Sequence, residues 1–312
     1  MEEYSFQRLN ESHYNDLRKI SLSAFGFDPG YEYYSEKNNT HFLGHSNLGY
    51  IAYSSKGEPA AFYGMYAYPV MSHGKRAVAA QSGDTMTHKD HMGKGLFTKL
   101  AKLTYELAAK EGVSFVFGFP NKNSYPGFVR KLNWTHRENL IEYRIPITTL
   151  PFLKVAKRFK FFEPLYKILS SAILKKYITI PSAYNSHFLS GRDSSHVERK
   201  PEFLQYKMKS GSVLLEISGK KVWIKLDGYM YLGDVESCEP DEFKGVIREL
   251  ISLARLLGAD KIIYTGSEAD DVMAEIQVKL NRQESLAIGY LDFLQKDSPE
   301  NMRFTQSDLD TF

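Results

Sequence analysis

Apolar residues at the start of the chain recur first with a strand-like and then with a helix-like period. Residues 4–9 have strand character, and residues 11–24 follow as a predicted helix. Asn10 or Ser12 supplies a side chain suited to the N-cap of that helix, and Gly26 is placed to end it. The pattern therefore predicts an opening strand followed by a helix.

Three further strand-like runs follow, over residues 50–53, 60–66 and 76–87. The turn over residues 55–59, which contains glycine and proline, separates the first two runs. This arrangement predicts an antiparallel hairpin. The third run leads directly into a glycine-bearing turn at residues 92–95.

A helix is predicted after this turn, over residues 96–110, with Gly112 at its C-terminal end. Residues 114–119 then form a short, continuous apolar run, which is typical of a strand buried on both faces. A strand–helix–strand unit is right-handed and returns in the same direction, so this strand should be parallel to the one before the helix. A short helix near residues 128–132 and a strand near residues 140–145 complete the first half.

The second half repeats this order of elements at an offset of roughly 146 to 148 residues. Both copies consist of a helix, a glycine and a buried strand, followed by a shorter apolar element. The first copy covers residues 100–119 and 129–143, and the second covers residues 253–265 and 278–290. We interpret the second half as a weak duplication of the first.

Length and composition agree with this interpretation. A chain of 312 residues suits two domains of about 150 residues each. The single cysteine, Cys238, excludes an internal disulfide and a cysteine metal cluster, so we expect no metal and a reducing compartment. The first residues lack a basic region followed by an apolar stretch, and no run of eighteen apolar residues occurs, so we expect a soluble cytoplasmic protein without an integral membrane segment. The net charge of +3 is too mild to indicate a nucleic-acid partner.

The stretch between the two halves, residues 151–177, is rich in lysine and phenylalanine. It predicts helices with a basic side. Such a stretch could lie on a membrane surface, but a connecting helix packed between domains with solvated lysines is more common, and we take that as the expectation. Residues 182–200 are polar and irregular, which predicts a loop or lid.

The strongest chemical signal is the strand that ends at Thr87 and leads through a glycine turn into a helix. Such a turn directs unpaired N–H groups and the positive end of the helix dipole at one spot, which favours an anion. Gly93 and Gly95 would let the backbone approach phosphate oxygens closely, and Lys94 would add a cation at the rim. A pyrophosphate would fit this site.

The sequence here resembles the GNAT superfamily, whose pyrophosphate loop reads Gln/Arg-x-x-Gly-x-Gly/Ala. Gly95 is then the central glycine, while Met92 stands where Gln or Arg is usual and Phe97 replaces the last small residue. The run His-Lys-Asp-His-Met-Gly-Lys-Gly-Leu-Phe at residues 88–97 is similar to loops that read His-Pro-x-Tyr-Arg-Gly-Lys-Gly-Ile-Phe. Residues 121–134 resemble the family's later Asn and Phe-Tyr-x-Lys-x-Gly-Phe elements.

The resemblance covers about residues 1 to 146 and implies an α/β (α+β) fold of two GNAT-like domains. Each would have a central mixed, mostly antiparallel sheet flanked by helices. Residues 1–150 would form the catalytic acyl-CoA-binding domain, residues 151–200 a basic helical connector and loop, and residues 201–312 a degenerate GNAT-like domain.

The resemblance also implies acetyl-CoA, or another acyl-CoA, as co-substrate. Its pantetheine arm would pair with the end of the fourth strand, where backbone groups of Met86, Thr87 and His88 are candidates for that contact and for the oxyanion donor. The pyrophosphate would contact N–H groups of the turn and first helical residues. The complete predicted set for acyl-CoA is Met86, Thr87, Met92, Gly93, Lys94, Gly95, Leu96, Phe97 and Asn121.

Catalysis in this family requires a base for the amine and an acid for the leaving thiolate. Asp84 on the fourth strand is the first candidate for the base, and its alternative role is that of a structural residue at the end of the strand. His88 and His91 are the alternative bases. The family's acid is a tyrosine at a position that is Val129 here, so Tyr125 or water would protonate the thiolate. Asn121 would either bind pantetheine or cap the short helix.

The second half departs from the loop pattern. The offset places Glu239 at the position of Gly93 and Asp241 at that of Gly95, with Pro240 between them. Acidic side chains there occupy the anion site and repel pyrophosphate, and Pro240 lacks an N–H donor. We therefore predict a structural second half that walls the acceptor pocket. The aromatic candidates for this wall are Trp223, Tyr229 and Tyr231.

The sequence thus predicts an acyl-CoA-dependent N-acyltransferase acting on a small-molecule amine, with an amino sugar of surface polysaccharide as one candidate. A tandem enzyme for an aminoglycoside-like polyamine or a protein amine is the second interpretation. A non-catalytic acyl-CoA-binding module is the third. The acyl chain length and the oligomeric state are left open.

Overall fold

The computed structural model describes residues 3–189, 195–293 and 299–312. Two compact units divide the chain. The first contains Met1–Glu138 and Ala287–Met302, and the second contains Asn139–Leu286 and Arg303–Phe312. Each unit is therefore built from two separate stretches of sequence.

The described strands are β1 (Tyr4–Arg8), β2 (Leu48–Ser54), β3 (Pro59–Ser72), β4 (Lys75–Thr87), β5 (Phe115–Gly118), β6 (Thr135–Pro146), β7 (Ser195–Val197), β8 (Ser212–Ile217), β9 (Lys220–Leu226), β10 (Met230–Val235), β11 (Lys261–Gly266), β12 (Asn281–Asp292) and β13 (Met302–Arg303). The described α-helices are α1 (Tyr14–Phe25), α2 (Tyr31–Lys37), α3 (Leu96–Lys110), α4 (Phe152–Arg158), α5 (Glu163–Leu174), α6 (Pro201–Met208), α7 (Pro240–Leu256) and α8 (Asp270–Glu275). A π-helix spans Gly127–Lys131. Single 3₁₀ turns occur at Glu11–His13, His41–Leu43, Lys89–His91, His187–Leu189, Pro299–Asn301 and Gln306–Asp308.

The first unit contains an antiparallel meander, β1 to β4, followed by α3 and the parallel strand β5. The parallel direction of β5 and the bounds of α3 confirm the sequence-based predictions. On its other edge β5 pairs with Gly289 to Asp292 of β12, in antiparallel register. The strand that completes this sheet therefore comes from the far end of the chain.

The second unit repeats this order. Strands β8, β9 and β10 are antiparallel, α7 follows, and β11 returns parallel to β10. The other edge of β11 pairs with Ile141 to Pro146 of β6. Thus β6 follows β5 in sequence but pairs with β11, whereas β12 follows β11 but pairs with β5. In each unit the strand pairing is mixed and mostly antiparallel, and the strands are flanked by helices, which confirms the predicted fold class.

The core of the first unit contains buried tyrosines whose hydroxyl groups bond to one another. Ser82 Oγ donates to Tyr63 Oη at 2.8 Å, and the hydroxyls of Tyr63 and Tyr105 lie 2.7 Å apart. Trp134 Nε1 donates to Tyr105 Oη at 2.9 Å. Because a buried polar group costs free energy unless it is paired, this network fixes β3, β4, α3 and Trp134 in one arrangement.

The segment between the halves agrees with the prediction of helices in its first part and differs in its second. Helices α4 and α5 lie where the sequence predicts them. The described part of residues 182–200 is largely irregular, as in the predicted loop, but many of its residues are buried, as at Phe188, Val197 and Arg199. In the described ranges, no helix is long and apolar enough to cross a membrane.

Candidate active site

Strands β4 and β5 stay together over a very short distance. Their register pairs Ala80 with Val116 and Gln81 with Phe117, and in the described residues no pairing follows Gln81. Strand β5 ends at Gly118, whereas β4 continues to Thr87. The last six residues of β4 therefore present one backbone edge to an opening instead of to β5.

A β-bulge interrupts β4 within this stretch. Phe62 pairs with Met86 and Gly64 with Gly83, so Tyr63 of β3 faces both Asp84 and Thr85. Asp84 has a φ of 50°, in the left-handed region that residues with a Cβ rarely occupy. Bulges and strained residues of this kind are typical of functional sites, where they re-aim a side chain.

Backbone direction along β4 separates the predicted pantetheine contacts. The N–H of His88 donates to Ala60 O at 2.8 Å, so it points into the sheet and is already bonded. Backbone groups alternate in direction along a strand, so the N–H of Met86 also points toward β3, and that of Thr87 points to the open edge. The side chain of Met86 is buried. Of these three residues, Thr87 presents its N–H to the opening.

The Asp84 carboxylate lies among donors from α2 and β3. Lys37 Nζ is 3.1 Å and Tyr33 Oη 3.0 Å from Oδ1, and Tyr66 Oη is 2.5 Å from Oδ2. The side chains of Lys37 and Asp84 are 10% and 18% exposed, so this ion pair is largely shielded from water. Lys37, Tyr33 and Tyr66 are not among the site residues predicted from the sequence. Their one sequence signal is the i,i+4 spacing of Tyr33 and Lys37, whose side chains are 2.7 Å apart.

The glycine turn lies where β4 ends. A 3₁₀ turn at Lys89–His91 precedes Met92, and Gly93 and Gly95 both have left-handed φ angles, of 74° and 75°. Helix α3 begins at Leu96 without a side-chain cap. The N–H groups of its first turn have no partner within the helix and sit at the positive end of its dipole. The turn therefore has the geometry of an anion site.

The corresponding helix of the second unit is closed by its own side chains. The Glu239 side chain accepts from the helix backbone, and Glu242 accepts from the N–H of Glu239 at 3.0 Å. Pro240 is the first residue of α7. This capping box occupies the donors that α3 leaves available.

Phe97 departs from the family's small residue, and the structure shows how its ring is accommodated. A Cβ atom on Gly127 would lie 3.0 Å from Phe97 Cε1, so the ring fits because this position of the π-helix has no side chain. The ring centroid of Phe97 also lies 5.4 Å from that of Phe128 and 6.0 Å from that of Tyr63. The glycine turn is thereby packed against the residues that follow β5.

We predict that Gly127→Val destabilises the first unit by about 1–3 kcal/mol, because the added methyl groups overpack against the Phe97 ring. Phe97→Leu in the same chain should recover most of this loss. Thermal unfolding of the two single variants and the double variant measures the coupling. Equal losses in Gly127→Val with and without Phe97→Leu would contradict this packing.

The two candidate histidines have different environments. His91 is buried, and its Nδ1 lies 2.9 Å from Tyr4 Oη, which ties the 3₁₀ turn to β1. His88 is half-buried, and its Nδ1 accepts from the N–H of Asp90 at 3.3 Å. Both rings therefore hold the turn together, and neither has a described contact with Asp84.

The downstream candidates cluster around the π-helix. The Asn121 side chain accepts from the N–H groups of Asn123 and Ser124, at 2.9 and 3.1 Å, and so caps this turn. Tyr125 is half-buried with its ring edge against His136, at a centroid distance of 5.3 Å. Val129 lies within the π-helix. Structures of this helix type are frequent at functional sites.

A splayed pair of parallel strands, a bulge beside the opening and a glycine turn that begins a helix define an acyltransferase fold of the GNAT class. The acetyltransferase (GNAT) domain family matches residues 5–137 of the chain. The resemblance inferred from residues 88–97 and 121–134 is thereby confirmed. No curated protein sequence matches the chain.

Solved structures show the same fold over nearly the whole chain. A GCN5-related N-acetyltransferase from Kribbella flavida is 11% identical, with 94% of this chain and 72% of that one covered and a TM-score of 0.62. One from Anabaena variabilis is 12% identical, with 92% and 72% covered and a TM-score of 0.59. A GCN5-related glucosamine N-acetyltransferase region of a fungal multi-domain beta-N-acetylglucosaminidase is 13% identical, with 93% and 38% covered and a TM-score of 0.56. At these identities the likeness concerns the fold.

Proposed function

We propose that this protein is an N-acyltransferase that uses acetyl-CoA as the acyl donor and a small-molecule amine as the acceptor. The observation that carries the proposal is the separation of β4 from β5 after Gln81, which is followed, beyond the end of β4 at Thr87, by the uncapped start of α3 at Leu96. An open strand edge and an anion site then follow each other along the chain. Acetyl-CoA has its groups in the matching order, because the amides of its pantetheine arm can pair with a strand edge and its pyrophosphate is the anion that follows them.

The donor would be held mainly by backbone groups. The pantetheine amides would pair with the open edge of β4, and the N–H groups from Gly93 to Phe97 would bind the pyrophosphate oxygens. The Thr87 N–H points to the same edge and is our choice for the donor to the thioester oxygen, where negative charge develops. Met92 is exposed and lies at the rim.

In the proposed reaction a neutral amine attacks the thioester carbon, a C–N bond forms, and the C–S bond breaks. Asp84 would accept the amine proton directly or through water. An ionised carboxylate has about four lone-pair sites, and three are used by Lys37, Tyr33 and Tyr66, which leaves one site for the proton. Tyr125 or water would return a proton to the thiolate sulfur.

The positive charge next to Asp84 favours some classes of acceptor amine over others. Lys37 places a positive charge beside the proposed base, and a second cationic group of a polyamine would be repelled there. We therefore favour an acceptor with a single amine over an aminoglycoside-like polyamine. Amino sugars are the first class to test, because the similar fungal region acts on glucosamine.

The second unit would not bind acyl-CoA, since Glu239, Glu242 and Pro240 occupy or remove the donors at the start of α7. We propose that it is a degenerate copy with a structural role. The catalytic role of residues 1–150 and the connecting role of residues 151–200 belong to the same proposal. A module that binds acetyl-CoA without turnover is the alternative, and transfer to at least one amine in a broad panel would exclude it.

The anion site is tested by Gly95→Val. No protein atom lies within 4 Å of the position a Cβ would take, so the added side chain would meet bound phosphate instead of protein. We expect acetyl-CoA affinity to fall about 10²-fold or more, because several charge-assisted backbone hydrogen bonds are lost. Isothermal titration calorimetry measures this change.

Gly57→Val is the matched control. Gly57 lies in the β2–β3 turn with a φ of 78° and equally open surroundings, so it carries the same backbone strain away from the site. This variant should lose a similar amount of stability and keep its acetyl-CoA affinity. Unchanged affinity in Gly95→Val, or an equal loss in Gly57→Val, would count against the proposed donor site.

A further inference from the structure

Helix α5 has apolar side chains on two opposite faces. Leu174 is buried, and Tyr166 and Ile173 pack against the core of the second unit. Leu165, Ile168 and Leu169 point away from that core, and Ile168 is 70% exposed. Their spacing of three and four residues forms one continuous helical stripe, so this apolar face is open to solvent.

Helix α4 and the turn after it extend the exposed apolar surface. Phe152, Val155 and Phe159 are exposed at the same helical spacing, while the residues between them include the buried Leu153. In the turn, Phe161 is 73% exposed and its ring lies 3.9 Å from that of Phe162. We call the exposed apolar residues between 150 and 180 the connector surface. They are Leu150, Phe152, Val155, Phe159, Phe161, Phe162, Leu165, Ile168, Leu169, Ile178 and Ile180.

The charge of this stretch contrasts with that of the chain. Residues 150–180 contain seven lysines and arginines and one acid, Glu163, which gives a net charge of +6. The whole chain has a net charge of +3, so the other residues together carry a net charge of −3. Lys167 and Lys157 form ion pairs, with Glu163 at 2.7 Å and Asp227 at 2.5 Å. An excess of positive charge therefore surrounds the connector surface.

Two kinds of partner fit exposed apolar groups, and the charge distinguishes them. The buried centre of a protein–protein interface is depleted in lysine. Here cations alternate with phenylalanines, as in Arg158-Phe159-Lys160-Phe161-Phe162. Helices that lie in a membrane interface have this composition, with phenylalanine and leucine on one side and lysine and arginine beside them.

We propose that the connector surface docks on a membrane that contains anionic lipids. The phenylalanine and aliphatic side chains would enter the boundary between headgroups and acyl chains, and the lysines would contact lipid phosphates. This inference does not depend on the proposed enzymatic function. The sequence-based expectation is a connecting helix packed between domains. In the present proposal the exposed apolar face of that segment contacts lipid instead.

Co-sedimentation of the full chain with vesicles tests the proposal. Binding should be strong to phosphatidylcholine mixed with phosphatidylglycerol and weak to phosphatidylcholine alone, since each cation near an anionic surface contributes about fivefold in affinity. Added salt should release the protein. Ile168→Glu and Phe161→Glu should each lower binding about tenfold or more, because an apolar group in the interface is replaced by a charge.

Leu22→Glu is the matched control, because Leu22 is an exposed leucine of α1, in the first unit, at 56% exposure. It should bind vesicles as the unchanged chain does. Circular dichroism of all variants should be identical, since the replaced side chains are solvent-exposed. Absence of binding to anionic vesicles, or equal binding by Ile168→Glu, would overturn the proposal.

Insertion has its own spectroscopic readout. The two natural tryptophans, Trp134 and Trp223, are buried, so a tryptophan introduced at Phe161 reports on its own surroundings. Phe161→Trp should show a blue-shifted emission and quenching by brominated lipid on anionic vesicles, and Leu22→Trp should not. A concentration-dependent dimer that Ile168→Glu abolishes, without any vesicle effect on Phe161→Trp, would instead assign the surface to self-association and reject the lipid partner.

Discussion

Replacement of Asp84 by asparagine is expected to lower turnover about 10²- to 10⁴-fold and to leave acetyl-CoA affinity nearly unchanged. The amide keeps the shape of the carboxylate but cannot accept the amine proton. Binding of the donor depends on the edge of β4 and the glycine turn, where the Asp84 side chain has no role in our proposal. Steady-state rates on an acceptor from the amine panel, together with calorimetry of acetyl-CoA binding, separate the two effects.

Two variants control for this result. Asp28→Asn removes another ion-paired carboxylate of the first unit, which contacts Arg18 at 2.9 Å, and should keep full turnover. His88→Gln should also stay active, with an unchanged pH–rate profile between about pH 5 and 8, the range in which histidines titrate. Wild-type turnover in Asp84→Asn would remove Asp84 from the mechanism, and a changed profile in His88→Gln would transfer the base role to that residue.

Replacement of Arg199 by alanine is expected to destabilise the second unit by about 3–5 kcal/mol. Its guanidinium donates to Asp234 Oδ2 at 2.7 Å and to Asp308 Oδ1 at 2.8 Å, and all three side chains are at most 1% exposed. Burial alone would lower the pKa of Arg199, but the two carboxylates outweigh it and raise that pKa. Without the arginine, two buried carboxylates lie next to each other without a cation.

The location of the two tryptophans allows this loss to be assigned to one unit. Trp223 is buried in the second unit, where its Nε1 donates to Ser212, and Trp134 is buried in the first. In a Trp134→Phe background, urea unfolding followed by fluorescence therefore reports on the second unit alone. Arg282→Ala is the control, because this arginine also contacts two acids but is 43% exposed, and its loss should cost less than about 1 kcal/mol. Equal midpoints for the two variants would contradict the prediction.

Local elements could be predicted closely because their signals are local. The left-handed φ angles of Gly93 and Gly95 require glycine, and an amphipathic stretch without an early breaker follows them. The sequence therefore predicts both the turn and the bounds of α3. The parallel direction of β5 follows from the handedness of the connection, and it is confirmed as well.

The surroundings of Asp84 could not be predicted in this way. Lys37 lies 47 positions before it in the sequence, and Tyr66 lies 18 positions before it. They meet Asp84 because a bulge turns its side chain out of the regular alternation of β4. Nothing in the residue pattern of a strand indicates a bulge of this kind, because the left-handed residue is an aspartate and not a glycine.

The burial within the described part of residues 182–200 could not be predicted for a related reason. Its polar residues indicate a surface loop, yet Ser186 and Arg199 are buried because their partner is Asp234 on β10. Polar groups can be buried when each one finds a hydrogen-bond partner. Such partners lie far away in sequence, so composition alone predicts exposure.

Because β5 pairs with β12, a strand from the far end of the chain, the protein cannot complete the sheet of its first unit early in synthesis. Strand β5 is complete once the ribosome has passed Gly118, but its neighbour Tyr290 is synthesised roughly 170 residues later. At typical elongation rates of about 5–20 residues per second, the edge of β5 stays without this neighbour for about 10–35 s. An apolar strand edge is a template for pairing with other chains. The nascent protein should therefore depend on a chaperone during this interval, although β5 is paired on both edges in the finished sheet.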